Sequence, residues 1–254
     1  MVKKTLRKII PIKTFESILD EDETFYTGVK LHETELNKRP FRYDLINYLL
    51  DLNANEEKHY LEIGVRNPSV NFNKINCKNK YSVDPGIEYK ANPVDFKVTS
   101  DEFFKNLSEG KILNGNIKFD VIFIDGLHLA EQVERDIINA LNFIKEDGFI
   151  VLHDCNPPSE YHAREEHSFT LSPARNTWNG TVWKAFYKMR FNKSISCFCV
   201  DSDWGIGIIH KSAIVAPLTE NFNPFYEYKV FDNQRKLSLN LMSFEEFKEL
   251  IKRT

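Results

Sequence analysis

Short apolar runs alternate with stretches of helical periodicity through the middle of the chain. Each run is brief and apolar on both faces, as expected for a strand that is buried on both sides of a sheet. Residues 129–144 place apolar side chains on one helical face and charges on the other. This alternation predicts an α/β fold with a parallel sheet between two layers of helices. The predicted strands lie at residues 59–65, 80–84, 96–100, 119–126 and 148–154.

The elements at the two ends of this pattern complete the fold class. Helical spacing of apolar residues predicts a helix over 41–52 that packs onto the sheet. The runs 196–201 and 206–211 are separated by a tight turn and predict an antiparallel hairpin at the end of the sheet. Ser243 and Glu246 form a capping box before a short C-terminal helix. The prediction is a Rossmann-like, mostly parallel seven-stranded sheet with a C-terminal antiparallel hairpin and helices on both faces.

The regular pattern breaks after the fifth predicted strand. Residues 156–180 begin with two prolines and continue with a polar stretch that does not suit a core element. We interpret them as a lid insertion. The chain then divides into an N-terminal helical extension (1–55), a cofactor-binding core that carries the insertion (56–212) and a C-terminal extension (213–254).

Composition narrows the functional class. The 254 residues carry a net charge of −3, so the basic excess of a general nucleic-acid binder is missing. The four cysteines form no C-x-x-C pair, which argues against a structural zinc site. The basic start is not followed by a long apolar run, and no stretch approaches the roughly 18 apolar residues of a membrane span. We expect a soluble cytoplasmic protein without a secretory signal.

Polar residues follow the predicted strands at the edge where ligands bind in open α/β sheets. Gly64 ends the first strand, where the backbone can turn tightly beside a ligand, although an ordinary loop glycine would look the same. Asp84, at the end of the second strand, can accept two hydrogen bonds from a ribose diol or simply cap the turn before Pro85. Together the two positions favour a nucleoside. The lone glycine argues against NAD, because a pyrophosphate needs the three-glycine loop.

Five motifs follow one another along the chain: EIGV, YSVDP, TSDEFF, FDVIFIDGLH and DGFIVLHDCNPP. In this order they resemble the motifs of the class I methyltransferases that use S-adenosylmethionine (SAM). The resemblance covers residues 60–156 and continues more weakly to about residue 211. It is greatest to the branch with D-G-x-H after the fourth strand and H-D after the fifth, as in macrocin-type sugar O-methyltransferases and catechol O-methyltransferase.

This resemblance implies a role for each matching position. Glu62 and Gly64 would line the methionine end of SAM, and Asp84 would hold the ribose. Ser100 or Asp101 would lie near the adenine. The first motif has fewer glycines than is usual in the family.

Asp125 and Asp154 end two central strands that would be neighbours. Two carboxylates at one point repel each other unless a proton or a cation lies between them. A divalent cation with oxygen ligands would remove the repulsion, and the similar families place magnesium here. His153 stands beside Asp154 where those families have a second acid or amide, which leaves a transition-metal site or no metal open. The predicted metal ligands are Asp125, Asp154 and His153, and Asp125 would also contact SAM.

His128 and His153 are the candidate general bases, with Asp125 completing the catalytic set. A sugar hydroxyl is a poor nucleophile near neutral pH, so it needs a base or a metal to take its proton. Histidine titrates in the required range. Two plainer interpretations stay open: His128 as a solvent-facing residue at a helix start, and His153 as a buried side chain bonded to the backbone.

The first hypothesis is therefore a SAM-dependent O-methyltransferase that acts on a sugar or other small polyol in glycan or natural-product biosynthesis. Its acceptor would be a small molecule or glycan precursor, and a homo-oligomer is left open. Aromatic side chains of the insertion, such as Trp178, could stack on that acceptor, although a surface loop with incidental charges would have the same composition. One alternative is a glycosyltransferase that uses Asp201 and Asp203 as a D-x-D motif. Another is a binding protein that keeps the fold without catalysis.

Overall fold

The apolar runs form a seven-stranded sheet, in a computed structural model that describes residues 23–52, 57–167, 171–212 and 214–252. The strand order is β2-β1-β3-β4-β6-β5-β7. Strands β1 to β4 pair in parallel, β6 is antiparallel to both β4 and β5, and β7 is parallel to β5. The predicted fold class is confirmed. The strands are β1 (His59–Ile63), β2 (Asn79–Val83), β3 (Phe119–Ile124), β4 (Ile144–Leu152), β5 (Ser196–Val200), β6 (Ile206–His210) and β7 (Leu241–Met242).

Helices cover both faces of this sheet. The helices are α1 (Glu23–Leu36), α2 (Arg42–Leu52), α3 (Ser100–Ser108), α4 (Ala130–Phe143), α5 (Val182–Met189), α6 (Tyr228–Asn233), α7 (Arg235–Leu239) and α8 (Phe244–Ile251). Successive side chains of a strand point to opposite faces, so β3 contributes side chains to two hydrophobic cores, one on each face of the sheet. Ile122 packs in the core that contains residues of α3, α4 and α5, and Phe123 packs in the core that contains residues of α2 and α8. Burial on both faces explains why β3 is apolar at nearly every position.

The predicted strand at 96–100 is wrong. Only Phe96 pairs with β2, through one bridge to Val83. The next residues start α3 instead, because the Thr99 side chain accepts a hydrogen bond from the Glu102 amide and caps the helix. The seventh strand of the sheet is β7, which the sequence pattern did not reveal.

Helix α2 is part of the packed core, although it lies within the predicted N-terminal extension (1–55). Leu45, Ile46 and Leu49 are buried and pack with residues of β3. The rest of the predicted extension includes residues 1–22 and 53–55, which lie outside the described part of the chain. The domain boundaries stay predictions. None of the described helices is long and apolar enough to cross a membrane.

The described part of 156–180 has no helix or strand, in line with its polar sequence. It is nevertheless partly buried: Asn156, His162 and Asn179 are shielded from solvent. The His162 carbonyl accepts hydrogen bonds from the amides of Asn179 and Gly180, at 3.1 and 3.0 Å. The segment therefore folds back on itself against the carboxyl edge of the sheet, and its role as a lid stays a prediction.

Candidate functional site

The ends of β3 and β4 bring the predicted acidic residues together. Ile124 pairs with Leu152 at the ends of the two strands, so the residues that follow leave the sheet side by side. The Asp125 amide donates to Ile63, and the His153 amide donates to Ile124. Asp154 Oδ2 lies 2.9 Å and Asp125 Oδ1 lies 3.3 Å from Nδ1 of His153. The geometry thus places Asp125, His153 and Asp154 at one point, as the sequence predicts.

His128 faces the same carboxylates from the loop before α4. Its Nε2 lies 3.3 Å from Asp125 Oδ1, and its Nδ1 lies 3.3 Å from Asp154 Oδ2. The carbonyl of Trp178 is 2.7 Å from Nδ1, and because a carbonyl only accepts, Nδ1 carries the proton of that bond. The Trp178 ring also stacks on the imidazole. This contact fixes the ring and leaves Nε2 as the nitrogen that can take a proton or bind a cation.

The turn before α5 holds the backbone of His128 in place. The Thr181 amide donates to the His128 carbonyl at 2.8 Å, and the Ala130 amide donates to the Thr181 hydroxyl at 2.8 Å. Gly180 has φ +61°, and a Cβ there would lie 2.1 Å from the His128 carbonyl oxygen. Only glycine allows this approach without displacing backbone. The N-G-T turn therefore positions His128.

Two residues that sequence reasoning left out of the site complete the cluster. Asp203, from the turn between β5 and β6, lies 3.4 Å from His153 Nε2 and accepts a 2.8 Å bond from the Arg42 amide. The Arg42 guanidinium contacts His153 and lies 3.5 Å from Asp203 and 3.9 Å from Asp125. Arg42 is the first residue of α2, where the helix dipole disfavours a positive charge. A cationic side chain at this position therefore indicates in the sequence that it pairs with a particular anionic group. We call Arg42, Asp125, His128, His153, Asp154 and Asp203 the strand-end cluster.

Mutual attraction keeps this cluster ionised in spite of its burial. Burial opposes ionisation of Asp125 and Asp203, yet His153 and Arg42 hold the pKa of Asp125 well below its usual range and that of Asp203 at about 2. Burial also lowers the pKa of His128, but Asp154 and Asp125 outweigh it and raise it to about 9. The carboxylates likewise outweigh burial and Arg42 and raise the pKa of His153. Three carboxylates thus face three cationic groups.

Asp125, His128 and Asp154 fit a divalent cation. Each offers one ligand atom, and the three atoms lie within 4.8 Å of one another. Two carboxylate oxygens and an imidazole nitrogen are donors that first-row divalent metals accept. His128 thus stands in this set where the sequence placed His153. Both nitrogens of His153 already meet protein groups, Asp154 on one side and Arg42 with Asp203 on the other.

Strand β1 places the buried carboxyl group of Glu62 near the carboxyl edge of the sheet, where SAM is predicted to bind. Glu62 accepts hydrogen bonds from the Tyr60 hydroxyl at 2.6 Å and from Asn71 Nδ2 at 2.9 Å. Burial raises the pKa of Glu62 to about 7. Gly64 has φ +92°, and a Cβ there would lie 2.1 Å from the backbone oxygen of Asp125. Glycine is required because the loops after β1 and β3 touch.

Asp84 lies half-buried after β2 with one side of its carboxylate engaged. Its Oδ1 accepts from the Gly86 amide at 2.6 Å and from Asn92 Nδ2 at 3.1 Å. Among the described residues, no hydrogen bond reaches Oδ2. Oδ1 of Asp84 thus stabilises the turn before Pro85, and Oδ2 stays available as an acceptor. The two interpretations of Asp84 in the sequence, a turn residue and a ligand of a ribose, are therefore compatible.

Ser100 and Asp101 begin α3 and contact Gln132 of α4. Gln132 Nε2 lies 3.1 Å from Ser100 Oγ, 3.2 Å from Asp101 Oδ1 and 3.0 Å from Asp136 Oδ1. Asp136 is nearly fully buried, and this burial raises its pKa to about 6. Sequence reasoning missed Asp136, although an acid on the apolar face of α4, next to Ile137, was a visible signal.

The D-x-D turn has a different environment from the one that a glycosyltransferase motif needs. Asp201 Oδ1 accepts from Lys38 at 2.6 Å and from Asn156 at 2.9 Å. Asp203 faces the strand-end cluster and is held by Arg42. Each carboxylate thus already has a cationic partner within the protein, and no observation favours binding of a nucleotide sugar.

Comparison with known proteins adds one informative match. Residues 49–155 match a family described as "Methyltransferase domain", a segment that contains Glu62, Asp84, Asp125, His128 and Asp154. No curated protein matches the chain.

Solved structures give weaker likenesses. A putative O-methyltransferase from Klebsiella pneumoniae is 13% identical with a TM-score of 0.46, over 84% of this chain and 96% of that one. The SAH-bound methyltransferase PaMTH1 of Podospora anserina is 14% identical with a TM-score of 0.45, over 80% and 97%. The methyltransferase MycE of the mycinamycin biosynthetic pathway, solved with Mg, SAH and mycinamycin VI, is 13% identical with a TM-score of 0.43, over 79% of this chain and 57% of that one. Likenesses of this strength assign no ligand to this chain. The match of residues 49–155, which spans less than half of the chain, supports the class predicted from the sequence, the SAM-dependent methyltransferases.

Proposed function

We propose that this chain transfers the methyl group of SAM to a hydroxyl oxygen of a sugar or other small polyol, in glycan or natural-product biosynthesis. The observation that carries the proposal is the set Asp125, His128 and Asp154, whose ligand atoms converge within 4.8 Å at the carboxyl edge of the sheet. This edge is where ligands bind in open α/β sheets. The set can hold a divalent cation or accept a proton, and activation of a hydroxyl needs one of these.

The reaction is an in-line displacement at the methyl carbon. The acceptor oxygen forms a bond to that carbon, the carbon–sulfur bond breaks, and its electron pair goes to the sulfur, so the sulfonium becomes a neutral thioether. The hydroxyl proton must leave during this step. Nε2 of His128 can receive it only when the imidazole is neutral, because Trp178 fixes a proton on Nδ1. Since Asp154 and Asp125 raise the pKa of His128 to about 9, this route operates at alkaline pH.

A divalent cation at Asp125, His128 and Asp154 would lower the pKa of the acceptor hydroxyl. Nε2 of His128 cannot bind such a cation and accept a proton at the same time, so the two roles are alternatives. His153 and Arg42 orient the carboxylates in either case, through the contacts to Asp154, Asp125 and Asp203 described above.

The residues of β1, β2 and α3 suit the SAM side of the reaction. The Oδ2 oxygen of Asp84 can accept hydrogen bonds from a ribose diol. Glu62 and Gly64 would lie at the methionine end, and Ser100 or Asp101 near the adenine. The resemblance assigns these positions, and the half-buried, unengaged oxygen of Asp84 supports the assignment.

Calorimetry with S-adenosylhomocysteine tests the cofactor site. We expect the wild-type protein to bind with an affinity in the micromolar range of enzyme substrates and products. Asp84→Asn should weaken this binding about tenfold or more, because it removes a charged acceptor of the ribose. Asp51→Asn, at an exposed position of α2, is the matched control and should bind normally. Absence of binding by the wild-type protein would overturn the proposal.

Isotope transfer from methyl-labelled SAM tests the acceptor and the cation. The acceptors are neutral sugars, other polyols and phenols, each assayed with EDTA and then with Mg²⁺ or Mn²⁺ restored. We expect label in a sugar or polyol, loss with EDTA, and strong loss in Asp154→Asn. Transfer that is insensitive to EDTA would refute the cation and favour His128 as the base. Transfer to phenols alone would refute the acceptor class.

A further inference from the structure

The guanidinium of Arg42 has one engaged edge and one open edge. Nη1 contacts His153 and lies 3.5 Å from Asp203. Nε and Nη2 form the fork that can hold a carboxylate through two parallel bonds, yet neither nitrogen donates a hydrogen bond to a described residue. Asp125 Oδ2 lies 3.9 Å from Nε, which is too long for a hydrogen bond. The side chain is 17% exposed and neither nitrogen of the fork is sealed from solvent, so a ligand can reach this edge.

The loop after β1 leaves almost no backbone amide for an anion. Glycine-rich loops of α/β folds hold anions through backbone N–H groups that have no other partner. Of the seven residues 64–70, five already use the amide in a hydrogen bond within the protein, and Pro68 has no amide hydrogen. The five are Gly64, Val65, Arg66, Ser69 and Val70. Only the Asn67 amide is left in this loop, so an anion that binds here needs a donor from another element.

Glu62 presents an open acceptor near the open fork of Arg42. Its Oε2 accepts hydrogen bonds from Tyr60 and Asn71, whereas Oε1 accepts none from the described residues and is not sealed from solvent. Burial raises the pKa of Glu62 and the charge of Arg42 opposes that rise, so the two groups are close enough to interact. A carboxyl with an open oxygen beside a guanidinium with an open fork suits the ammonium and the carboxylate of a free amino-acid group.

Two ligands can bring a carboxylate to this fork, the methionine part of SAM or an acidic acceptor. The resemblance places the methionine end of SAM at Glu62 and Gly64, and the first of these interacts with Arg42. This proximity favours SAM as the source. A second arginine, Arg66, lies in the loop itself, but Nη1 of Arg66 is 3.4 Å from Glu88 and its side chain is 65% exposed.

We propose that Arg42 binds the α-carboxylate of SAM through Nε and Nη2, in place of the backbone amides that the glycine-poor loop does not offer. The inference rests on the proposed function, because it takes SAM as the ligand. Asp203 and His153 hold the opposite edge of the guanidinium and thereby orient the fork. Since Arg42 precedes the matched segment 49–155, the cofactor site of this chain would include a residue that the family match does not contain.

Calorimetry on the full chain with three ligands tests the contact. The ligands are S-adenosylhomocysteine, its decarboxylated analogue, which keeps the ammonium, and 5′-deoxy-5′-methylthioadenosine, which lacks the whole amino-acid group. We expect the wild-type protein to bind S-adenosylhomocysteine about tenfold or more tightly than the decarboxylated analogue. Arg42→Met should weaken the binding of S-adenosylhomocysteine about tenfold to a hundredfold and that of the other two ligands less than about twofold. Equal weakening of all three ligands would show a purely structural role and overturn the proposal.

Two further variants separate the fork from its charge and from the neighbouring arginine. Arg66→Met is the matched control, and it should change the affinity for S-adenosylhomocysteine less than about twofold. Arg42→Lys keeps the charge but loses the fork, so it should bind S-adenosylhomocysteine about tenfold more weakly than the wild type and bind the decarboxylated analogue normally. A larger loss in Arg66→Met than in the Arg42 variants would assign the carboxylate to Arg66 and refute the inference. Melting curves show that each variant is folded, and if Arg42→Met is not, Arg42→Lys decides the question in the same way.

An acidic acceptor and a failure of the proposed function give different results. Saturation-transfer NMR compares a methyl hexuronide with the corresponding neutral methyl hexoside. If the hexuronide binds to the wild type but not to Arg42→Met, while S-adenosylhomocysteine binds equally to both, the fork belongs to the acceptor and the inference is wrong. If S-adenosylhomocysteine binds but no Arg42 variant discriminates it from the decarboxylated analogue, the inference is wrong and the proposed function stands. If the wild type binds none of the three adenosyl ligands, the proposed function fails as well.

Discussion

Acidification should destabilise this fold through a buried histidine pair that lies outside the strand-end cluster. His162 is fully buried, with Nδ1 2.8 Å from the Ser159 hydroxyl and Nε2 3.2 Å from Nδ1 of His32. Burial, His32 and Arg164 together lower the pKa of His162 to about 3, from 6.5. His162 is therefore neutral in the folded protein over the whole range in which an unfolded histidine takes up a proton.

The sign and size of the effect follow from this difference. Above pH 6.5 both states are neutral at His162, so the residue adds no pH dependence. Below pH 6.5 the unfolded chain binds a proton that the folded protein excludes, and stability falls until the pH nears 3. The loss from His162 alone is about 1.4 kcal/mol at pH 5.5 and about 2 kcal/mol at pH 5.

Denaturant unfolding at pH 7.5 and at pH 5.5 measures this loss, with His162→Gln as the comparison. Other groups titrate in both proteins, so the relevant quantity is the difference between the two pH dependences. The wild-type protein should lose about 1.4 kcal/mol more than His162→Gln over this interval. Parallel pH profiles would refute the argument, because they would show that His162 is protonated in the folded protein.

Three further substitutions test the parts of the site and its supports. Gly180→Ala should cost about 2 kcal/mol or more and reduce kcat, because a Cβ would meet the His128 carbonyl oxygen at 2.1 Å; unchanged melting and turnover would contradict this. Arg42→Met should lower the unfolding free energy by about 3 kcal/mol but raise the calorimetric affinity for Mn²⁺, since a competing positive charge leaves the carboxylates; a weaker affinity would count against it. Ser243→Ala should cost about 1 kcal/mol in denaturant melts by removing the capping box with Glu246, and an unchanged midpoint would exclude that contribution.

Local chemistry made much of the fold predictable. β3 is apolar at nearly every position because both of its faces are buried, and the hairpin of β5 and β6 follows from two apolar runs around a short polar turn. The capping box at Ser243 is visible in four residues of sequence. The strand predicted at 96–100 failed because Thr99 was counted as a strand residue, although it is also a favoured helix cap.

The site was predictable only where its residues follow strand ends. Asp125 and Asp154 are adjacent because parallel strands finish at one edge, a rule that needs no coordinates. The choice between His128 and His153 as the third ligand depends on which imidazole nitrogen is already engaged. That engagement comes from the Trp178 carbonyl for His128 and from Arg42 for His153. Neither contact follows from sequence spacing, because each joins residues far apart in the chain.

The origin of each site residue explains why the class of reaction is clearer than its acceptor. The segment 49–155 that matches the methyltransferase family supplies the sheet edge and its acids. Arg42, Trp178 and Asp203 all come from outside that segment, from α2, the insertion and the β5–β6 turn, and they set the charge and orientation of the cluster. Under the proposed function, elements outside the matched segment would shape the space beside the shared edge, so that variation there can change the acceptor while the methyl-transfer chemistry stays the same.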